Sequence, residues 1–301
     1  MEVIPLKRFA PLLIITAGCL WGTMGLFVRH LGAMGLSSME IVEARSIIAM
    51  LILFPCTALR DRSLLKIRLK NIWPLIGTGV LSMVFFNFCY FSTIATMNLS
   101  AAAILLYTAP IFVMLMSIPL FREKLTLRKA LALLLAFSGC CLVSGIASAT
   151  ASLTAAGLLL GLGSGFGYAL YSIFSRIGLN QGLSSITITN YTFLMAAIGG
   201  AFFTDFRAIL SALHTYGLLL LGFLVFYCIV TTILPYLLYT AGLSQVENGP
   251  ASVMASVEPV VATLLGFLVF SETPTISAVI GMILVLTALV ILSIGPSKQA
   301  A

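Results

Sequence analysis

The feature that most constrains this chain is a succession of ten apolar runs separated only by short polar interruptions, at about 9–31, 38–58, 72–94, 98–121, 128–147, 155–175, 185–204, 214–240, 248–271 and 275–294. A helix needs about 20 apolar residues to cross roughly 30 Å of hydrocarbon, so each run reads as one membrane span. Of the 301 residues 60% are hydrophobic and only 8% charged, with mean hydropathy +1.15, too little charge for a water-facing surface. Ten spans use up the length and leave no room for a folded soluble domain. The expected fold class is therefore all-α integral membrane, with function inside the bilayer.

The formal net charge of +7 does not point to nucleic acid, because Lys and Arg gather in short loops between apolar runs. Counted by loop, one side receives Lys7, Arg8, Arg60, Arg62, Lys66, Arg68, Lys70, Arg122, Lys124, Arg128, Lys129, Arg176 and Lys298, and the other only Arg29 and Arg207. By the positive-inside rule both termini are expected in the cytoplasm, in a multi-pass protein of the cell (inner) membrane. The six cysteines (Cys19, Cys56, Cys89, Cys140, Cys141, Cys228) lack metal-ligand spacing and read as small packing residues. Lys7 and Arg8 ahead of an apolar stretch ending at Cys19 imitate a lipoprotein signal. The run continues through Trp21 to Val28, however, as a full span does, and Thr16 stands where such a signal has leucine.

The chain also repeats itself. Pro110 followed by Glu123, and Pro259 followed by Glu272, place a proline inside an apolar run and a glutamate thirteen residues later at its end, 149 positions apart. At the same offset Asn87, Tyr90 and Ala95 align with Tyr236, Tyr239 and Ser244; at 147, Trp21 and Arg29 align with Tyr168 and Arg176. Five spans per copy is an odd number, so the second copy must enter the membrane from the opposite side. The expected organisation is two inverted five-helix repeats, 1–149 and 150–301, with a binding site where they meet.

The Trp21-Gly22 pair with Arg29 in the first span, Arg45 early in the second, and the proline-to-glutamate endings of the fourth and ninth resemble the EamA family of the drug/metabolite transporter superfamily. The resemblance covers nearly the whole chain. It implies a ten-helix fold, a central cavity between the halves, and export of small metabolites such as amino acids across the bacterial inner membrane. The family often has glycine before the terminal glutamate, where this chain has Arg122 and Ser271, and tryptophan is common at the position of Tyr168.

An ionisable side chain inside hydrocarbon is costly unless it meets a cavity or a partner, which makes each one a functional candidate. Glu258, beside Pro259 and about ten residues into the ninth span, reads either as a proton site or substrate-amine contact, or as a protonated glutamate bonded to a freed carbonyl. Glu40, Glu43 and Arg45 open the second span, where an ion pair or snorkelling competes with contact between Arg45 and a substrate carboxylate. Arg29 and Arg176 read as helix-end anchors, and Glu123 and Glu272 as helix-end markers. Helical spacing puts Asn87 and Tyr90 on one face, Ser100, Tyr107 and Pro110 on another, Ser252, Ser256 and Pro259 on the matching face of the ninth span, and Tyr168 with Tyr171 and Ser175 on the sixth. The expected cavity residues are Trp21, Asn87, Tyr90, Tyr107, Tyr168, Tyr239 and Ser256. Glu258, Glu43 and Arg45 are the polar or proton-coupling contacts, and Pro110 and Pro259 the hinges.

These features lead to the expectation of a secondary transporter working by alternating access, and the resemblance implies that it exports a small metabolite such as an amino acid. A proton-coupled importer is the alternative. An intramembrane enzyme is weaker, because only His30 and His214 exist and no metal motif occurs; a channel is weaker because rings of like charge and filter motifs are absent. No GxxxxGK[ST] sequence provides for ATP. The expected partners are a small-molecule substrate, the lipid bilayer and protons, with no cofactor, no metal and no nucleic acid, in a monomer or homodimer.

Overall fold

The computed structural model describes residues 6–145 and 154–293; the expected repeat boundary at 149/150, Lys298, residues 146–147 and 294 of the expected spans and both chain ends lie outside them. All secondary structure among the described residues is helical. Nine of these helices are long and apolar enough to cross a membrane. They are α1 Phe9–Ala33, α2 Ser38–Arg60, α3 Leu69–Thr96, α4 Leu99–Phe121, α6 Ala155–Asn180, α7 Ser185–Phe203, α8 Phe206–Leu243, α9 Asn248–Phe270 and α10 Ile276–Ser293. Between α4 and α6 lies α5, Leu127–Val143, the described part of the fifth expected span.

Local chemistry starts these helices where the sequence changes from polar to apolar. The side chains of Ser37, Asn98, Thr126, Thr154 and Ser184 each accept an N–H from three residues on, satisfying one of the four donors a helix start leaves open. α8 is broken at Gly217 (φ 57°, ψ −135°), so a short helix from Phe206 precedes the membrane-crossing part, which begins close to the expected start of the eighth span at 214.

The duplication is legible in the backbone at an offset of 149. α3 contains a π-helical stretch, Gly77–Val84, and α8 another, Ile229–Ile233, with matching ends. α4 is broken into Leu99–Leu106 and Ala109–Phe121, and α9 into Asn248–Ala255 and Glu258–Phe270. Pro110 and Pro259 are not kinks within continuous helices; each is the second residue of a new half-helix, where its missing N–H costs nothing. Both half-helices end alike, with Arg122 and Ser271 in the left-handed region (φ 56° and 55°). The N–H groups of Glu123 and Glu272 then close onto the carbonyls of Ser117 and Gly266. This conformation favours glycine, the residue that the resemblance leads one to expect at the two positions.

Glycines bring the halves together. Gly18 lies against the α9 break, where a Cβ would meet the Ala255 carbonyl at 2.8 Å, and Gly22 against the Glu258 carbonyl at 2.6 Å. Gly165 of α6 occupies the equivalent place on the α4 break, facing the Leu105 carbonyl at 2.7 Å. Small residues allow this backbone approach where no hydrophobic force between helices is available. Each repeat thus lays its first helix on the broken helix of the other.

Candidate functional site

Beside the two breaks lies a narrow cavity of about 20 Å³, walled by α1, α3, α4, α6, α8 and α9. Its wall is aromatic. Trp21 packs with ring centroids 5.2 Å from Tyr236, 5.4 Å from Tyr239 and 6.3 Å from Tyr168. Tyr171 stands edge-on to Tyr236 at 4.9 Å, and Phe86 edge-on to Tyr168 at 5.4 Å. Two hydroxyl pairs hold the rings in place, Tyr171 with Thr240 and Ser172 with Tyr239, both at 2.7 Å. Rings fixed in this way present π faces and phenol oxygens, a surface that accepts apolar bodies and cations alike.

A carboxylate beside this wall belongs to Glu258, the first residue of its half-helix, where the positive end of the helix dipole favours an anion. The Tyr168 hydroxyl donates to Glu258 Oε2 over a long 3.5 Å. Tyr90 and Tyr107 also lie within electrostatic reach of the carboxylate. A carboxylate next to a cavity, at a break in its own helix and among three phenols, is equipped to hold a proton or a cationic group.

The residues expected around the cavity therefore divide. Trp21, Tyr168, Tyr239 and the proline Pro110 line it, while Pro259 does not. Tyr90 and Tyr107 belong to the Glu258 cluster and are not part of the wall. Asn87 leaves it altogether, because its amide donates to the Met83 carbonyl one turn back at 2.7 Å. Ser256 turns to the Ser252 carbonyl at 3.4 Å, and Ser252 takes its place in the lining. Tyr171, Ser172, Tyr236 and Phe86 also belong to the wall. Helical spacing could have found them, since Ser172 follows Tyr168 by four residues and Tyr236 precedes Tyr239 by three.

The expected ion pair or snorkelling at the start of α2 is corrected. Glu43 and Arg45 are 1% and 2% exposed, and no salt bridge joins them among the described residues. Two positions apart on a helix, their side chains point in different directions. The Glu43 carboxylate oxygens have no hydrogen-bond partner and abut Gly200, while Arg45 reaches Met24 Sδ at 3.6 Å with Tyr227 and Tyr236 near by. Neither residue lines the cavity. Glu40 closes a capping box with Ser37.

Two repeats of membrane helices around a cavity at their junction define a multi-pass membrane protein of the transporter class. Residues 8–145 and 155–294 both match the EamA-like transporter family, and the chain belongs to that family. It is 28% identical to an uncharacterized transporter of Archaeoglobus fulgidus, covering 94% of this chain and 96% of the relative. It is also 25% identical to the uncharacterized inner membrane transporter YicL of Salmonella typhimurium, covering 95% and 96%. A solved crystal structure superposes with a TM-score of 0.74 over 94% of this chain and 95% of the other, at 21% identity, so the fold is shared. The protein is thus a membrane transporter, with a small-molecule substrate and lipid around it.

Proposed function

We propose that the aromatic cavity is the substrate site of a secondary transporter in the inner membrane that exports a small metabolite with an ammonium group, an amino acid being the simplest example. The observation that carries this reading is the location of the cavity: it lies between the repeats, against the breaks of α4 and α9, with Glu258 at its edge. Inverted-repeat transporters place substrate at such junctions, beside discontinuous helices whose ends supply polar groups. The wall of Trp21, Tyr168 and Tyr239 takes the apolar body and faces the cation. Glu258 exchanges its proton for the substrate ammonium, so that export is coupled to proton movement. Pro110 and Pro259 leave the two breaks free to bend as the cavity opens to one side and then the other. Both termini face the cytoplasm, which puts Glu123 at the inner end and Glu272 at the outer.

The test is reconstitution into liposomes with radiolabelled amino acids and other small metabolites, with and without a pH gradient. Counterflow of an ammonium-bearing solute, stimulated by the gradient, is the expected result. Folded protein that moves no such solute in either condition would sink the reading.

A further inference from the structure

The residues that the duplication repeats, Arg29 with Arg176 and Glu123 with Glu272, form two clusters that join the repeats. In one, Arg29 Nη1 donates to Glu272 Oε1 at 2.8 Å, with the guanidinium 4.4 Å above the Phe270 ring. In the other, Glu123 accepts the backbone N–H groups of Asn248 at 2.7 Å and Gly249 at 3.2 Å. Arg176 donates there to the Asn248 side chain at 2.7 Å and to the Val246 carbonyl. The 23 residues of α9 span about 34 Å at 1.5 Å per residue, with Asn248 at the start and Glu272 just past the end. The clusters therefore occupy opposite faces of the bundle.

Their states differ. Arg29 and Glu272 pair directly and are 55% and 53% exposed, whereas Glu123 and Arg176 are docked separately on the turn that opens α9. Shifted by 149, Val246, Asn248 and Gly249 become Met97, Leu99 and Ser100, the turn that opens α4. The first N–H groups of α4 have no acceptor within the helix, as in any helix. They also lie on the Glu272 face, because Glu123 at the far end of α4 lies on the Asn248 face.

We propose that the two clusters are latches that exchange arrangements. In the opposite conformation Glu272 leaves Arg29 and caps the N–H groups of Leu99 and Ser100, and Arg29 takes the Met97 carbonyl. At the other face Glu123 leaves Asn248 and Gly249 and pairs with Arg176. Swapping the roles of the repeats exchanges the partners of the bonds to backbone, all but the Arg176–Asn248 side-chain bond, for which Leu99 offers no acceptor, so that neither carboxylate is stranded. The inference rests on the alternating-access reading and names the residues that hold its end states.

Paired cysteines test it in membranes, in a background where Cys19 and Cys56, the two native cysteines that are not buried, are replaced by serine. Glu272→Cys with Ser100→Cys should be joined by a short thiol cross-linker. Joining them should lower labelling of Ser252→Cys in the cavity by a charged maleimide from the Glu272 face by roughly tenfold or more, because the covalent link depopulates the state open to that face. Absence of that cross-link, while Glu123→Cys with Gly249→Cys cross-links and Ser252→Cys labels from both faces, overturns the latch exchange and leaves alternating access standing. Labelling from one face only, with no cross-link at the other, overturns both. Leu99→Pro supplies a variant without the paired cysteines: it removes one receiving N–H, and the extended Asn98 (φ −98°, ψ 165°) suits the residue before a proline. It should raise labelling of Ser252→Cys from the Glu272 face several-fold, and unchanged labelling would count against the latch.

Discussion

Arg122 and Ser271, 149 positions apart, hold the same left-handed conformation, with φ of 56° and 55°, at the ends of equivalent half-helices. A side chain in that region costs about 1–2 kcal/mol, which glycine avoids. Ser271→Gly and Arg122→Gly should each raise the thermal midpoint of the detergent-solubilised protein, by an amount corresponding to about 1 kcal/mol. A midpoint that falls in either variant would mean that the side chain makes a compensating contact.

Helix crossing gives the opposite sign. Gly139 of α5 and Gly281 of α10 touch backbone to backbone, so that a Cβ on Gly139 would lie 2.6 Å from the Gly281 carbonyl and the reciprocal one 2.5 Å from the Gly139 carbonyl. Backbone cannot yield as a flexible side chain does. Gly139→Val or Gly281→Val should destabilise by about 2–3 kcal/mol or more, through overpacking. Thermal unfolding of either variant close to that of the parent would show that the helices can separate.

Glu258 carries the pH dependence of transport if it exchanges its proton for substrate. Glu258→Gln keeps the shape and removes the charge. It should abolish stimulation by a pH gradient while preserving gradient-free exchange, measured in the same liposomes. An unaltered response to the gradient would remove Glu258 from the mechanism.

Trp21 contacts three tyrosines of the other repeat and so dominates the cavity wall. For an ammonium-bearing substrate, Trp21→Ala should weaken apparent affinity by about 1–2 kcal/mol, roughly tenfold, and Trp21→Phe by less, in the order of cation–π strength. Equal losses would favour shape over charge as the basis of recognition.

Glu123 lies past the end of α4, outside the span. Burial pushes its carboxyl above the ordinary carboxylate range, opposed by the Asn248 and Gly249 N–H groups and by Lys129, with Glu247 adding to the rise and Arg176 also facing it. A raised carboxyl binds its proton more tightly when docked than when released, so docking is favoured at low pH and weakens as pH rises through the raised value. Labelling of Ser252→Cys from the Glu123 face should therefore rise with pH more steeply than in Glu123→Gln, which stays neutral and in which the rate follows only the thiolate fraction of the introduced thiol. An equally steep rise in Glu123→Gln would assign the effect to another group.

Much of the fold was legible because a bilayer imposes a simple rule: apolar runs of sufficient length become helices, and a repeated pattern becomes a repeated structure. Trp21, Tyr168 and Tyr239 were found among the cavity residues for the same reason, as large polar-tipped aromatics in apolar helices that the duplication aligns. Asn87 was misplaced because a side chain can satisfy itself on its own helix, here on Met83, and periodicity does not reveal which partner it takes. Glu43 and Arg45 are two positions apart in sequence without being partners in space.

The sequence alone determined the helix composition, the membrane setting, the duplication and the residues at which it is marked. Only the tertiary structure decided that Pro110 and Pro259 begin half-helices, that Tyr168 serves both the cavity and Glu258, and that Arg29 meets Glu272 while Arg176 and Glu123 dock on one turn. The physical reason is that helix formation is settled within a few turns of chain. Contacts between residues more than a hundred positions apart depend instead on how glycine-lined faces allow the two repeats to approach.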